Sequence, residues 1–231
     1  MEFEDVLNNR CSVREFLPKK VEWDKITKVL DAGVKAPNSG NIQSWKFVIV
    51  TNQDTIKKIA EATRQYWVAT SNALIVVAED TVKTKRFYGE RGIEFYGIQN
   101  CAAAVQNMLL EATNLGLGSC WVSAFDEVQM KTILSVPDDI RVHAIVVLGY
   151  YDGEIPRTER DELYTYTFLD QYGKRVMDPK REWQGYHSQT TRKVTEQLSK
   201  DIKEDSKNIS KKIKEKFAKI KEKLNKPNSH E

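Results

Sequence analysis

Cysteine is scarce in this chain: its three residues, Cys11, Cys101 and Cys120, lie far apart and form no CxxC pair. This spacing argues against a disulfide framework and a cysteine-rich metal site, and it predicts reduced thiols in a cytoplasmic protein. Long apolar runs are also missing, and none reaches the roughly 18 residues of a membrane-spanning helix. The acidic first five residues contain no apolar stretch of the kind that a secretory signal requires.

A large net charge is absent as well, because 36 Lys and Arg stand against 33 Asp and Glu. The balance is uneven along the chain: residues 191–226 hold 13 basic and 6 acidic side chains, so the remainder is mildly acidic. The basic excess belongs to the C-terminal part, and it carries no information about a substrate of the preceding domain.

Apolar periodicity predicts the fold class. Residues 23–35 carry an apolar stripe of helical period, and residues 93–115 are apolar around most of a helix that ends at Gly116. Three short β-rich runs predict strands that are buried on both faces. These runs are 45–50, 73–78 and 143–148. The order of the elements predicts an α+β sandwich rather than a regular βαβ repeat.

The first candidate site is the segment from Arg10 to Arg14, which follows a short N-terminal helix. In an extended segment alternate side chains share a face, so Arg10, Ser12 and Arg14 point one way, while Cys11 and Val13 point toward the core. Two guanidinium groups beside a hydroxyl have the donors that grip a phosphate. The alternative is a loop with two solvated arginines, and the spacing alone does not exclude it.

The second candidate is the loop 36–45, which lies between a well-patterned helix and the first predicted strand. Loops in such positions carry function more often than core segments do. The amide side chains of Asn38, Asn41 and Gln43 offer donors and acceptors that suit the edge of a heteroaromatic ring. The alternative is a turn in which Asn and Gly serve only the backbone conformation.

Residues 116–125 and two late arginines are further candidates. Glycines at 116 and 118 permit a close approach of backbone to a ligand, although a helix end followed by a strand is the alternative. The segment does not match GxGxxG after a strand, and no Walker pattern occurs, so dinucleotide and P-loop motifs are excluded. Arg157 and Arg160 complete an anion site only in three dimensions, and alone they are surface charge.

Taken in order, these motifs resemble those of the nitroreductase family, and the resemblance runs from about Val6 to Tyr172. The matching pieces are the Arg-x-Ser-x-Arg segment 10–14, the Ala-Pro loop 36–45, the alanine-rich helix 99–110, Gly-Leu-Gly-Ser-Cys-Trp at 116–121, and a strand that ends in Gly149-Tyr150. The resemblance implies a three-layer α+β fold, with a central mixed or antiparallel sheet flanked by helices. A long C-terminal helix, on which the resemblance is silent, is predicted as an addition to this fold.

The resemblance also implies a homodimer with FMN bound at the subunit interface. Arg10, Ser12 and Arg14 would hold the ribityl phosphate together with one late arginine, Arg160 in preference to Arg157. The other implied cofactor-binding residues are Cys11 in the same segment, Pro37, Asn38, Ser39 and Asn41 from the second subunit, Gln43 beside the substrate cavity, Gln65 at the ring edge, and Trp121, Ser123 and Ala124 along the isoalloxazine.

The implied activity is that of an FMN-dependent oxidoreductase, which takes hydride from NAD(P)H and reduces nitroaromatics, quinones or a related small acceptor in a ping-pong cycle. Because a cofactor carries such chemistry, no catalytic side chain and no metal ligand is nominated, and His143 is interpreted as structural. Two alternatives stay open. One is specialised flavin chemistry, reductive dehalogenation or flavin fragmentation; the other is a flavin-holding protein whose basic tail docks on a membrane or nucleic acid.

Residues 1–186 are predicted to form the FMN-binding domain, and residues 187–231 a basic amphipathic helical tail. Apolar residues from Val194 to Leu224 recur at helical spacing and form one narrow stripe. The stripe fits packing on the partner subunit or pairing with its tail, adhesion to an anionic membrane or nucleic acid, or a solvated extension. We favour packing on the partner over a membrane surface, and a membrane surface over nucleic acid.

Overall fold

The computed structural model describes residues 1–153 and 158–176. The chain divides into two compact units, Met1–Arg157 and Thr158–Glu231. The described part of the second unit contains a short 3-10 helix, Leu163–Thr165, and a single β-bridge between Phe168 and Arg175. The predicted domain boundary at residue 186 and the predicted helical tail lie outside the described residues and stay predictions.

The first unit alternates helices and strands along the chain. The helices are α1 (Phe3–Asn9), α2 (Trp23–Val34), α3 (Gln53–Thr63), α4 (Thr81–Arg91), α5 (Gly97–Asn114) and α6 (Glu127–Leu134). The strands are β1 (Trp45–Val50), β2 (Ala73–Asp80), β3 (Gly118–Val122) and β4 (Ile140–Gly149). The first unit thus has four strands, whereas three apolar runs predicted three. The additional strand is β3, which agrees with the alternative interpretation of residues 116–125 as a helix end followed by a strand.

The four strands form one sheet in the order β1-β2-β4-β3, and every neighbouring pair is antiparallel. This confirms the predicted α+β fold with an antiparallel sheet. The expectation that all three predicted strands are buried on both faces is wrong for β1. That strand lies at the sheet edge, where Lys46 is exposed and Phe47, Val48 and Ile49 are only half-buried.

Alternating side chains of β2 divide the core into two layers. Ile75 and Val77 pack with α2 and α5 on one face, and Leu74 and Val76 pack with α3 and α6 on the other. Successive residues of a strand point to opposite faces, so the continuous apolar run of β2 supplies both layers at once. The unit is therefore a three-layer sandwich with β2 and β4 at its centre.

Helix α5 lies at the centre of one layer, as the sequence predicts for a helix that is apolar around most of its circumference. It ends where expected: Gly116 has a φ of 73°, and the Leu117 amide donates to the Ala112 carbonyl at 2.8 Å. Its start differs from the prediction, because Gly92–Tyr96 form a π-helical turn before it. No helix among the described residues has both the length and the apolarity that crossing a membrane requires.

A β-bulge interrupts the pairing of β2 with β4. Val77 pairs with Ala144 and Ala78 pairs with Val142, so His143 is the extra residue. As a result, Ala144 packs in the layer of α5, whereas Val142 packs in the opposite layer. His143 lies in a strand as predicted, and the bulge brings its Nε2 to 2.8 Å from Oε2 of the fully buried Glu79.

Two helical glycines make a matched test of packing against this pair. A methyl group at Gly97 would overlap the Glu79 carboxyl group, which His143 holds in place, whereas one at Gly33 would meet the flexible end of Met108. We expect Gly97→Ala to lower the free energy of unfolding by about 1–3 kcal/mol. Gly33→Ala should be close to neutral, because alanine's helix propensity offsets a side-chain shift. Chemical denaturation measures both, and equal effects would contradict the expectation.

Candidate functional site

The N-terminal segment 10–14 runs beside β3 at the edge of the sheet. Ser12 and Ser119 form a parallel β-bridge, and the Val13 amide donates to the Ser119 carbonyl at 3.0 Å. Val13 is buried and Cys11 is half-buried, while Ser12 and Arg14 are exposed and Arg10 is half-exposed. The predicted alternation of the segment is confirmed.

Arg10, Ser12 and Arg14 all lie near Cys120 in β3. Burial raises the pKa of Cys120, and three groups oppose the rise: the Arg14 guanidinium, a hydrogen bond with Ser12, and the Arg10 guanidinium. Neither arginine forms an ion pair with another described residue. Two unpaired positive charges and a hydroxyl therefore lie around one point at the sheet edge, an arrangement that suits an anion with several oxygen atoms.

The turn that follows β3 lies next to the end of α3. Trp121 is partly exposed, and its indole N–H donates to Ser123 Oγ at 2.6 Å; Ser123 and Ala124 are exposed. The backbone of the following turn bonds to α3, since the Asp126 amide donates to the Ala62 carbonyl at 3.0 Å. Gln65, three residues beyond Ala62, is therefore brought to the same region. It is half-buried.

The loop 36–45 has an unusual backbone. Gly40, Asn41 and Gln43 all have φ near +50°, and Ser39–Asn41 form a short 3-10 turn. Asn38 holds the loop together, because its Oδ1 accepts from the Gln43 amide at 2.9 Å. Both interpretations of the sequence apply here: the Asn and Gly residues serve the backbone, and the side chains of Asn41 and Gln43 are exposed.

Sequence reasoning missed the residue that anchors this loop. Asn100 in α5 is 3% exposed, and its Oδ1 accepts hydrogen bonds from the Ser39 amide at 2.9 Å and from Ser39 Oγ at 3.2 Å. Helix α4 adds a second contact, because Tyr88 Oη lies against Gly40. A polar residue within an otherwise apolar helix was the available signal for Asn100.

The candidate residues form two groups at opposite edges of the sheet. The segment 10–14 lies beside β3 at one edge, whereas the loop 36–45 leads into β1 at the other edge. Among the described residues, no hydrogen bond joins the segment 10–14 to the loop 36–45. One protomer thus brings Arg10, Ser12 and Arg14 together with the end of β3, but it does not bring Pro37, Asn38, Ser39, Asn41 and Gln43 to them.

The two late arginines, Arg157 and Arg160, were the candidates for completing the anion site. Arg157 lies outside the described residues. Arg160 is exposed in the second unit, where the neighbouring Asp161 accepts a hydrogen bond from Tyr166. The prediction that a late arginine completes the anion site therefore stays a prediction.

Comparison with known proteins agrees with the fold and the motifs. Residues 7–67 and 60–150 match the model of the nitroreductase family. An Archaeoglobus fulgidus protein, provisionally named NADH dehydrogenase/NAD(P)H nitroreductase, is 34% identical over 161 residues, which are 68% of this chain and 86% of that protein. The chain therefore belongs to the nitroreductase family, a family of oxidoreductases.

Solved structures carry the same fold. A Bacteroides thetaiotaomicron protein with the same provisional name superposes with a TM-score of 0.65 at 29% identity, covering 74% of this chain and 99% of its own. An FMN-dependent nitroreductase from Clostridium difficile superposes with a TM-score of 0.63 at 24% identity, covering 72% of this chain and 98% of its own. The second likeness bears on the fold alone.

The thiol of Cys120 reports on the arginine cluster. Because the Arg14 guanidinium lowers its pKa against the effect of burial, Arg14→Met should raise that pKa further, and Arg14→Lys should largely preserve it. The NMR shift of Cys120 Cβ, followed against pH in flavin-free protein, gives the midpoint. An unchanged midpoint in Arg14→Met would mean that the guanidinium does not lie near the thiol.

Proposed function

We propose that this chain is an FMN-dependent NAD(P)H oxidoreductase that works as a homodimer and reduces small acceptors such as nitroaromatics or quinones. The observation that carries the proposal is the convergence of Arg10, Ser12 and Arg14 at the edge of β3 in a chain of this family. Bound there, FMN would supply the redox chemistry, taking hydride from NAD(P)H and passing it to the acceptor.

The donor set fits the phosphate end of FMN. A phosphate monoester is a multiply charged anion with three free oxygens, and forked guanidinium donors bind such groups more strongly than neutral donors do. Arg10 and Arg14 have no acidic partner among the described residues, so their charges are available to a ligand. Ser119 adds a buried hydroxyl without a hydrogen-bond partner directly beside Ser12. These residues would hold and orient the cofactor from its phosphate.

The exposed end of β3 would receive the ring system. From Cys120, beside the arginine cluster, the chain leads directly to Trp121, Ser123 and Ala124, which present backbone and side chains to solvent. Backbone N–H groups in such a turn can stabilise negative charge on the reduced ring. Gln65 would add a side-chain amide at the ring edge.

A second protomer would supply the loop 36–43. In a single protomer this loop lies at the opposite edge of the sheet from the arginine cluster, so a shared site needs a neighbouring copy. The protomer also exposes more large apolar side chains than solvent contact alone favours, which supports an extensive protein contact. They include Phe3, Leu7, Trp23, Phe87, Phe95 and Ile98.

Aromatic side chains beside the loop favour flat acceptors. Tyr88, which lies against Gly40, packs edge-on against Tyr96 at 5.1 Å between ring centroids, and Phe95 packs on Tyr96 at 5.7 Å. Phe95 and Tyr88 keep exposed surface that can stack on an aromatic ring. The cytoplasmic location, the part of a late arginine and the docking of the tail on the partner stay predictions.

FMN binding tests the proposal directly. Flavin-free protein should take up FMN, and Arg14→Ala should weaken the binding by about 1.5–3 kcal/mol, the loss of a charge-assisted hydrogen bond. Lys20→Ala removes an exposed positive charge from the following loop and should leave the affinity unchanged. Titration calorimetry measures all three proteins. A wild-type protein that takes up no FMN, or equal affinities in wild type and Arg14→Ala, would refute the proposal.

Mixed dimers test whether two protomers build each site. One chain carries Arg10→Ala and Arg14→Ala, and the other carries Asn38→Ala with Asn41→Gly, which keeps the positive φ accessible. In the heterodimer one site would receive both intact groups and the other neither, because a two-fold interface pairs them reciprocally. We expect differently tagged, co-purified heterodimers to regain FMN at one of their two sites, while both parent homodimers bind poorly. No recovery would place both groups in one protomer.

A further inference from the structure

A carboxyl group lies in the apolar core beneath the candidate site. Glu79 is 0% exposed and faces the layer of α2 and α5, and its only hydrogen bond among the described residues joins Oε2 to His143. Burying a carboxyl group costs free energy that a single hydrogen bond offsets only in part, so this contact contributes little to stability by itself. The bulge brings His143 to the carboxyl group but leaves its second oxygen, Oε1, without a partner.

Helix α5 is shaped around this carboxyl group. At Gly97 any side chain would overlap both Glu79 oxygens, so the helix approaches the carboxyl group with bare backbone. The Cys101 thiol shares this environment: burial raises its pKa to about 12, and the charge of Glu79 adds to the rise. Asn100 lies one helical turn from Gly97 on the same face of α5, because residues three apart are neighbours on a helix surface.

Only the oxygen of the Asn100 side-chain amide has a hydrogen-bond partner among the described residues. The Ser39 amide must meet an acceptor, so Oδ1 of Asn100 faces the loop and Nδ2 faces the protein interior. That Nδ2 is buried without a partner, as is Glu79 Oε1. Gly97, one turn before Asn100 in α5, lies directly against the Glu79 carboxyl group, so the two unpartnered atoms come from adjoining positions.

We propose that one buried water joins Glu79 Oε1 and Asn100 Nδ2, and that this link makes Asn100 a positioning residue for the loop 36–45. The two groups are an acceptor and a donor, and a buried water bridges such otherwise unpartnered groups with about two to four hydrogen bonds. His143 fixes Glu79, Glu79 fixes the amide of Asn100 through the water, and Asn100 fixes Ser39.

The loop needs such an anchor because its backbone is strained. Asn41 and Gln43 are held at positive φ, which costs free energy for residues with a side chain. An Asn100 amide locked from behind keeps Ser39, and with it the exposed side chains on the loop, in one place. The consequence for the flavin ring rests on the proposed function; the link between Glu79 and Asn100 does not.

A polarity swap tests the link. Asn100→Asp keeps the acceptor for Ser39 but replaces the inward donor by a second carboxyl oxygen, and two carboxyl groups in one buried space ionise together only at high cost. Glu79→Gln supplies a new inward donor while its remaining oxygen still accepts from His143. The double variant therefore restores a donor and an acceptor around the water, with their positions exchanged.

We expect Asn100→Asp to lower the equilibrium constant for folding at least about tenfold, and Glu79→Gln in the same chain to recover most of the loss. Asn107→Asp is the matched control, because it makes the same change in the same helix. There Nδ2 of Asn107 donates to the Ala32 carbonyl at 3.1 Å, a contact that does not involve Glu79. Glu79→Gln should not rescue it. If Asn100→Asp alone does not fold, recovery of soluble folded protein in the double variant is the readout.

In the flavin-loaded protein, Asn100→Asp should change the visible absorption band and raise the KM for the acceptor about tenfold, and the double variant should reverse both. Additive effects of the two substitutions, or the same rescue of Asn107→Asp, would overturn the proposal. A crystal structure of the wild-type protein without a water between Glu79 Oε1 and Asn100 Nδ2 would also overturn it. If the wild-type protein takes up no FMN, the proposed function fails, while the folding measurements still decide the link.

Discussion

The candidate site depends on one short contact, the pairing of the N-terminal segment with β3. A single buried valine and the hydrogen bond from its amide to the Ser119 carbonyl hold the segment extended against the sheet edge. Because the segment is extended, the side chains on either side of Val13 point away from the core. Arg14, Ser12 and Arg10 therefore lie on one side of the segment, near the Cys120 thiol. Without that pairing the arginines would be solvated charges on a loop, which was the competing interpretation of the same residues.

The sequence predicted the parts of this protein that depend on local pattern. The central strand β2 and the helices α2 and α5 follow from apolar runs and stripes, and the end of α5 follows from Gly116. The strand β1 was predicted in the same way but lies at an edge, and its charged Lys46 was the one local indication of an edge rather than a centre. That distinction depends on which strands pair, and pairing is decided by contacts between distant segments.

The site was predicted in the same measure. The alternation of residues 10–14 and the exposed amides of the loop were accessible to local reasoning, whereas the placement of the two groups at opposite edges of the sheet was not. The residues that sequence reasoning missed, Glu79 and Asn100, are single polar residues within apolar elements. Their partners are 64 and 61 residues away along the chain, so only the folded structure identifies them.

The bulge in β4 also has a consequence for how this core can vary among relatives. Because His143 is an extra residue in the pairing of β4 with β2, it reverses the direction of the side chains before it. Val142 and Ala144 therefore pack in different layers of the core. A related chain that lacks this extra residue would turn the start of β4 over and leave Glu79 without its histidine. The glutamate, the inserted histidine and the bare backbone at Gly97 thus depend on one another structurally, so that a substitution at one of them leaves the other two without their contact.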